Sequence, residues 1–227
     1  MPEVSAHHMV DTILFHPRGG LDVLLGIAGR QEKDWLEFKS AIEPSKDRPD
    51  EARLPKGLYA WHLARSLVAM ANSVGGLLVL GLDDQNNPVS LEISDPQNFL
   101  VNKGQDAFMR HVVEERIFPE SGEWHIGNGK KVSVNSRRLR LHVTPRMAMI
   151  RDKKVVVFMV KPITNNDDLL LVEETSPPRE YIPVRPRGDV GRVDELFTQK
   201  TQSEWKASRE MAPVEFQGML ETFLKGH

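Results

Sequence analysis

Apolar residues recur at three- and four-residue steps through Ala60, Leu63, Ala64, Leu67, Val68, Ala71 and Val74, a stripe that predicts an amphipathic helix ended by Gly75-Gly76. Leu77-Leu78-Val79-Leu80 follows as an unbroken apolar run, which predicts a strand buried on both faces, closed by Asp83-Asp84 and a turn at Asn86-Asn87-Pro88. Upstream, Leu21, Leu24, Leu25 and Ala28 predict a short helix over 20–28. Alternation over 35–39 predicts a strand with Leu36 and Phe38 on its core face and Trp35, Glu37 and Lys39 on the opposite one. Residues 43–57, with Pro44, Pro49 and Pro55 among acids and lysines, read as an exposed loop.

Beyond the central strand, Asp95-Pro96 marks the start of a helix running to about residue 117, with Phe99, Phe108, Val112 and Val113 among its apolar positions. From Trp124 the pattern turns to strands: 132–134, then 139–143 with strict alternation, then a buried strand over 155–160. An edge strand is expected over 181–185, because Pro183 cannot donate to a ladder. Segments 193–197 and 214–224 read as helical, the second amphipathic through Phe216, Leu220 and Phe223. The sum is an α+β domain with one mixed, mostly antiparallel sheet flanked by helices. Residues 1–19 form a flexible N-terminus, 20–200 the domain and 201–227 a helical C-terminal tail.

Composition narrows the function classes. The 227 residues are 40% hydrophobic and 27% charged, within the range of ordinary globular proteins. No apolar stretch near the N-terminus leads to a cleavage site, and none is long enough to span a bilayer, so a cytoplasmic protein without membrane contact is expected. The absence of cysteine excludes disulfides, thiol catalysis and cysteine-containing zinc sites. A net charge of -2 argues against holding nucleic acid by bulk charge. Its distribution changes that picture. Residues 130–154 hold Lys130, Lys131, Arg137, Arg138, Arg140, Arg146, Arg151, Lys153 and Lys154 against Asp152 alone, a local charge of +8 that leaves -10 for the rest. If 139–143 is a strand, Arg140 and His142 share one face. Phosphates are the natural ligand of such a surface, although strand cations also serve as solvated faces and edge guards. Arg185 and Arg187 could extend it.

Candidate chemistry centres on Glu32, Glu37 and Asp84. An odd step along a strand reverses the side, so Glu32 and Glu37 converge only if the chain turns between them. Asp84 follows the end of a central strand, where ligands of α/β sheets gather. Three hard oxygen donors suit Mg²⁺ or Mn²⁺, which polarises a phosphodiester and activates an attacking water, while Lys39 could neutralise phosphate charge. Spacing alone favours reading these carboxylates as solvated surface acids. Gly75-Gly76 follows a helix and opens a strand, the reverse order of a nucleotide cradle, so a structural role is expected. Asn72 reads as a helix-end residue, and the four tryptophans as packing residues.

Glu32-x4-Glu37-Phe38-Lys39, the later run from Ala69-Met70-Ala71-Asn72-Ser73-Val74-Gly75-Gly76 through Leu80-Gly81-Leu82-Asp83-Asp84, and Tyr181-Ile182-Pro183-Val184-Arg185-Pro186-Arg187-Gly188 together resemble the Schlafen AlbA-type domain family, over roughly residues 20–200. In vertebrate Schlafens two glutamates, an aspartate and a lysine two residues after the second glutamate form a metal-dependent endoribonuclease site acting on structured RNA. The resemblance implies those roles for Glu32, Glu37, Asp84 and Lys39. Those relatives pair two lobes into a clamp and carry a Cys/His zinc site, whereas this sequence has one lobe and no cysteine, and a homodimer could stand in for the missing lobe. Many bacterial relatives are described only as nucleic-acid-binding modules. With no G-x-x-x-x-G-K-[ST], ATP hydrolysis is not expected. Two readings follow: a metal-dependent endoribonuclease, or a non-catalytic RNA- or DNA-binding module with a regulatory or phage-defence role.

Overall fold

A computed structural model describes residues 20–21, 35–40, 56–83, 87–89, 91, 99–164 and 168–184. Among these, eight strands form two sheets. Sheet 1 contains β1 (Leu36–Lys39), β2 (Gly76–Leu80), β5 (Val143–Ile150) and β6 (Lys153–Val160) in the order β1-β2-β6-β5. Sheet 2 contains β3 (Glu123–Gly127), β4 (Lys130–Val134), β7 (Val172–Thr175) and β8 (Pro178–Tyr181) in sequence order. The β1–β2 pair is parallel and every other pair antiparallel. The helices are α1 (Lys56–Ala71), α2 (Phe99–Asn102), α3 (Gln105–Phe108), a π-helical turn at Met109–Glu114, α4 (Glu115–Ile117) and α5 (Ser136–His142). The protein is therefore α+β, with one mixed and one antiparallel four-stranded sheet.

The predicted helix and central strand are both present. In α1, Ala60, Leu63, Ala64, Leu67, Val68 and Ala71 are buried, each large side chain contributing about 1.5–3 kcal/mol by leaving water. Strand β2 divides its residues by parity: Leu78 and Leu80 join the core that α1 shares with sheet 2, and Leu77 and Val79 join a second cluster on the other face. A parallel strand pair buried on both faces explains why its sequence is an unbroken apolar run rather than an alternating one. The α1–β2 junction requires its glycines. Gly75 has φ 71 and Gly76 φ 127, and a Cβ on Gly76 would stand 2.0 Å from the Trp35 carbonyl oxygen. Close approach to the chain before β1 demands Gly76, and Gly75 is demanded by the Val160 carbonyl oxygen at the end of β6, 2.4 Å from where its Cβ would stand, in agreement with the structural reading.

Five expectations are corrected. The single sheet is two. Trp35 is buried in the same cluster as Leu36 and Phe38 instead of facing away from them. The helix expected to run to about residue 117 is interrupted, because Gly104 takes φ 85 between α2 and α3. A π-helical turn then follows, and buried Phe108, Val113 and Ile117 are spaced by five and four residues; its extra residue per turn brings that spacing onto one face. Residues 139–142 are helical, not extended: the Asn135 side chain accepts from the Arg138 N–H at 3.0 Å and starts α5, which buries Leu139 and leaves Leu141 76% exposed. The edge strand β8 ends at Tyr181, where residues 181–185 were expected to form it. The segments over 22–28, 41–55, 193–197 and 214–224, and the N-terminal and C-terminal regions outside the domain, lie beyond the described residues.

Candidate functional site

Strand β1 carries Glu37 and Lys39 on the face turned toward α1. Leu36 and Phe38 point to the second cluster, so Glu37 falls beside Leu78, its partner in register. The face expected to be open chemistry is therefore covered: Glu37 is 3% exposed. A carboxylate in such a place needs compensation. The Lys39 ammonium donates to Glu37 Oε1, and Ser66 Oγ, on the flank of α1, lies 3.5 Å from the same oxygen. Lys39 keeps a third of its surface in solvent, so the pair runs from the interior to the surface. The lysine's place was legible from its two-residue step along a strand. Ser66 was not, because its approach depends on how α1 lies across β1.

The carboxyl ends of β1 and β2 lie on the same side, and the Lys39 carbonyl accepts the Gly81 and Leu82 N–H groups there. Asp83 follows: its Oδ1 accepts the Asn87 N–H at 2.8 Å, and its own N–H donates to the Asn87 carbonyl. Glu32 and Asp84, the other two candidate metal ligands, lie outside the described residues, and among the described residues no three Asp, Glu, His or Cys side chains gather in a way that could hold a metal. Glu37 offers the hard oxygen that Mg²⁺ or Mn²⁺ takes, with Oε1 already shared between Lys39 and Ser66.

Asn72, expected to be a helix-end residue, is fully buried there and acts as a clamp. Its Nδ2 donates to the Leu170 carbonyl at 3.0 Å and to the Pro183 carbonyl at 2.9 Å, and its Oδ1 accepts the Leu170 N–H at 2.8 Å. Trp61 and Trp124 pack together with ring centroids 5.2 Å apart, both buried, as expected of packing residues.

The basic residues are dispersed over three places. Lys130 and Lys131 stand at the β3–β4 hairpin, with Lys131 3.5 Å from Glu123. Arg137, Arg138 and Arg140 belong to α5, where Arg138 pairs with Asp168, and Arg140 donates to the Phe118 carbonyl while lying 5.5 Å from the centre of its ring. Arg140 and His142 are two residues apart on a helix and so do not share a face. Arg151, Lys153 and Lys154 occupy the β5–β6 hairpin, all exposed, with Arg151 and Asp152 both at positive φ in its turn. Arg146 is exposed on β5, and Arg185 and Arg187 lie outside the described residues. His142, at the end of α5, is pushed below the ordinary histidine value by burial; a backbone hydrogen bond with Lys161 opposes this, and Arg138 and Lys161 reinforce it.

The family model described as Schlafen, AlbA_2 matches residues 32–173, more than half of the chain. The chain belongs to the Schlafen AlbA_2 family. The match begins at Glu32 and takes in Glu37, Lys39, Asp84 and every basic residue from Lys130 to Lys154. No curated protein matches. Among solved structures, the DIP2311 protein of Corynebacterium diphtheriae is similar at 15% identity and a TM-score of 0.35, covering 70% of this chain and 24% of its own. The N-terminal domain of a RecG-related ATP-dependent DNA helicase protein of Nitrosomonas europaea is similar at 15% identity and a TM-score of 0.31, covering 78% of this chain and 90% of its own. Likenesses of that size carry no argument about this Schlafen AlbA_2 chain. Among its described residues no helix is long and apolar enough to cross a membrane.

Proposed function

We propose that this chain binds nucleic acid and cleaves RNA, with Mg²⁺ or Mn²⁺ held by Glu32, Glu37 and Asp84. Membership of the Schlafen AlbA_2 family suggests the association with nucleic acid. The observation that carries the finer reading is Glu37, a carboxylate buried beside Lys39 on the strand edge of sheet 1. Strand β6 runs antiparallel to β2, with Val156 opposite Leu80, so Lys153 and Lys154 reach the sheet end toward which Glu37 and Lys39 lead. A metal bound by these carboxylates would polarise a phosphodiester and lower the pKa of an attacking water. The chain's own cations draw the phosphate to that end, and the Lys39 ammonium can move from Glu37 toward it.

The experiment is cleavage of an RNA hairpin with Mg²⁺ or Mn²⁺, followed on a gel. Glu37→Gln should abolish cleavage while leaving the melting temperature and RNA affinity near those of the parent, because Lys39, already partly in solvent, can turn outward once its partner is neutral. Cleavage that survives this change removes Glu37 from the site. One observation favours a second reading, binding without hydrolysis: Oε1 of Glu37 is engaged by both Lys39 and Ser66, the arrangement of a buried structural ion pair. That reading expects salt-sensitive binding and no turnover with any divalent metal.

A further inference from the structure

We infer that the phosphate backbone of a nucleic acid is gripped by one end of the domain, where the β3–β4 and β5–β6 hairpin tips project, and not by the arginines of α5. The inference rests on the binding reading above and is independent of cleavage.

Register places the tips. Helix α1 leads through Gly75-Gly76 into β2, so it runs back along the strand and its first turn lies at the carboxyl end of β2. Gly57, in that turn, packs directly on β3: a Cβ there would be 2.3 Å from the His125 carbonyl oxygen. The tip at Asn128, Gly129 and Lys130 comes just after His125, and a Cβ on Gly129 would meet nothing within 4 Å, so this turn projects into open space. The β5–β6 tip reaches the same end, since Lys153 and Lys154 precede the residue opposite Leu80. Helix α5 sits at the other end by two separate measures. It follows Val134, the far end of β4 from Lys130, and its last residue, His142, accepts the N–H of Lys161, which follows the far end of β6 from Lys153.

The side chains divide in nearly the same way, although Arg137 on α5 is exposed as well. Lys130, Lys153 and Lys154 are exposed and in no ion pair among the described residues, whereas Arg138 and Arg140 are held by Asp168 and by Phe118. Both tips have backbone at positive φ, at Gly127, Asn128 and Gly129 and at Arg151 and Asp152, so their cations stand on tight turns that need little ordering when a ligand arrives. Exposed ammonium groups on two separate tips suit the phosphates of a nucleic-acid backbone, held through charge.

The test is fluorescence anisotropy with a short RNA duplex across a salt series. The pair Lys153→Glu/Lys154→Glu should weaken duplex binding by about tenfold or more, and Lys130→Glu by several-fold, each flattening the salt dependence by about one unit of slope per lysine removed. Arg137→Glu, on α5, should change neither quantity comparably. Equal melting temperatures keep the comparison clean, and the milder Lys153→Gln/Lys154→Gln should shift affinity the same way by less. A loss in Arg137→Glu as large as at the tips, or tip variants that bind like a binding-competent parent, would overturn the location. A parent chain that binds no nucleic acid defeats the binding reading itself, and it is recognised before any variant is made.

Discussion

Glu37 and His142 illustrate how one side chain's meaning depends on what covers it. Alternation correctly sent Glu37 and Lys39 to the face away from Leu36 and Phe38, yet that face is lined by α1 and its serine, so a glutamate expected in solvent is buried and paired. The α1 lid could not be foreseen, because Ser66 lies 29 residues away in sequence. His142 was expected beside Arg140 on an exposed face. It instead ends α5 with Nδ1 buried, next to Arg138, Lys161 and Asp168. Its value in the folded chain lies below the unfolded one, so the unfolded chain binds more protons as the solution acidifies. Its contribution to stability is complete above the ordinary histidine value and is lost as pH falls below it. Urea midpoints measured from neutral to mildly acid pH should therefore drop less steeply in His142→Gln than in the parent.

At the scale of elements, strong periodicity was reliable and short periodicity was not. The stripe in α1 persists through four turns, and β2 and β6 are the two apolar runs that the sequence predicts as buried strands. The five residues 139–143 alternate, but five residues cannot separate a strand from a helix that happens to bury one leucine and expose the next. The deciding signal was the cap before them: Asn135 satisfies the Arg138 N–H, and Ser136 Oγ donates to the Pro119 carbonyl at 2.9 Å. With only seven residues, α5 depends on such anchors. Asn135→Ala should cost about 1 kcal/mol in chemical denaturation, and the loss should be absent in Asn135→Asp, which keeps the accepting oxygen.

For the whole molecule, the decisive contact is again local in size and distant in sequence. Asn72 closes the open end of the β7–β8 hairpin onto the end of α1, holding Leu170 just before β7 and Pro183 just after β8, 98 and 111 residues away. Asn72→Ala would strand buried backbone groups on both segments. A loss of about 2–4 kcal/mol is expected, with protease cleavage appearing first over 170–184, and a loss below 1 kcal/mol would mean that water replaces the amide without cost. Sequence by itself determined the α+β class, the helix–glycine–strand unit, the family and the clustering of positive charge, because each rests on neighbouring residues and on spacing within one element. Tertiary structure decided that the strands form two sheets, that Glu37 is buried beneath α1, and that a continuous +8 stretch is split between two ends of the domain. Those outcomes depend on packing between elements far apart in the chain, where register and close approach set the geometry and no local pattern records it.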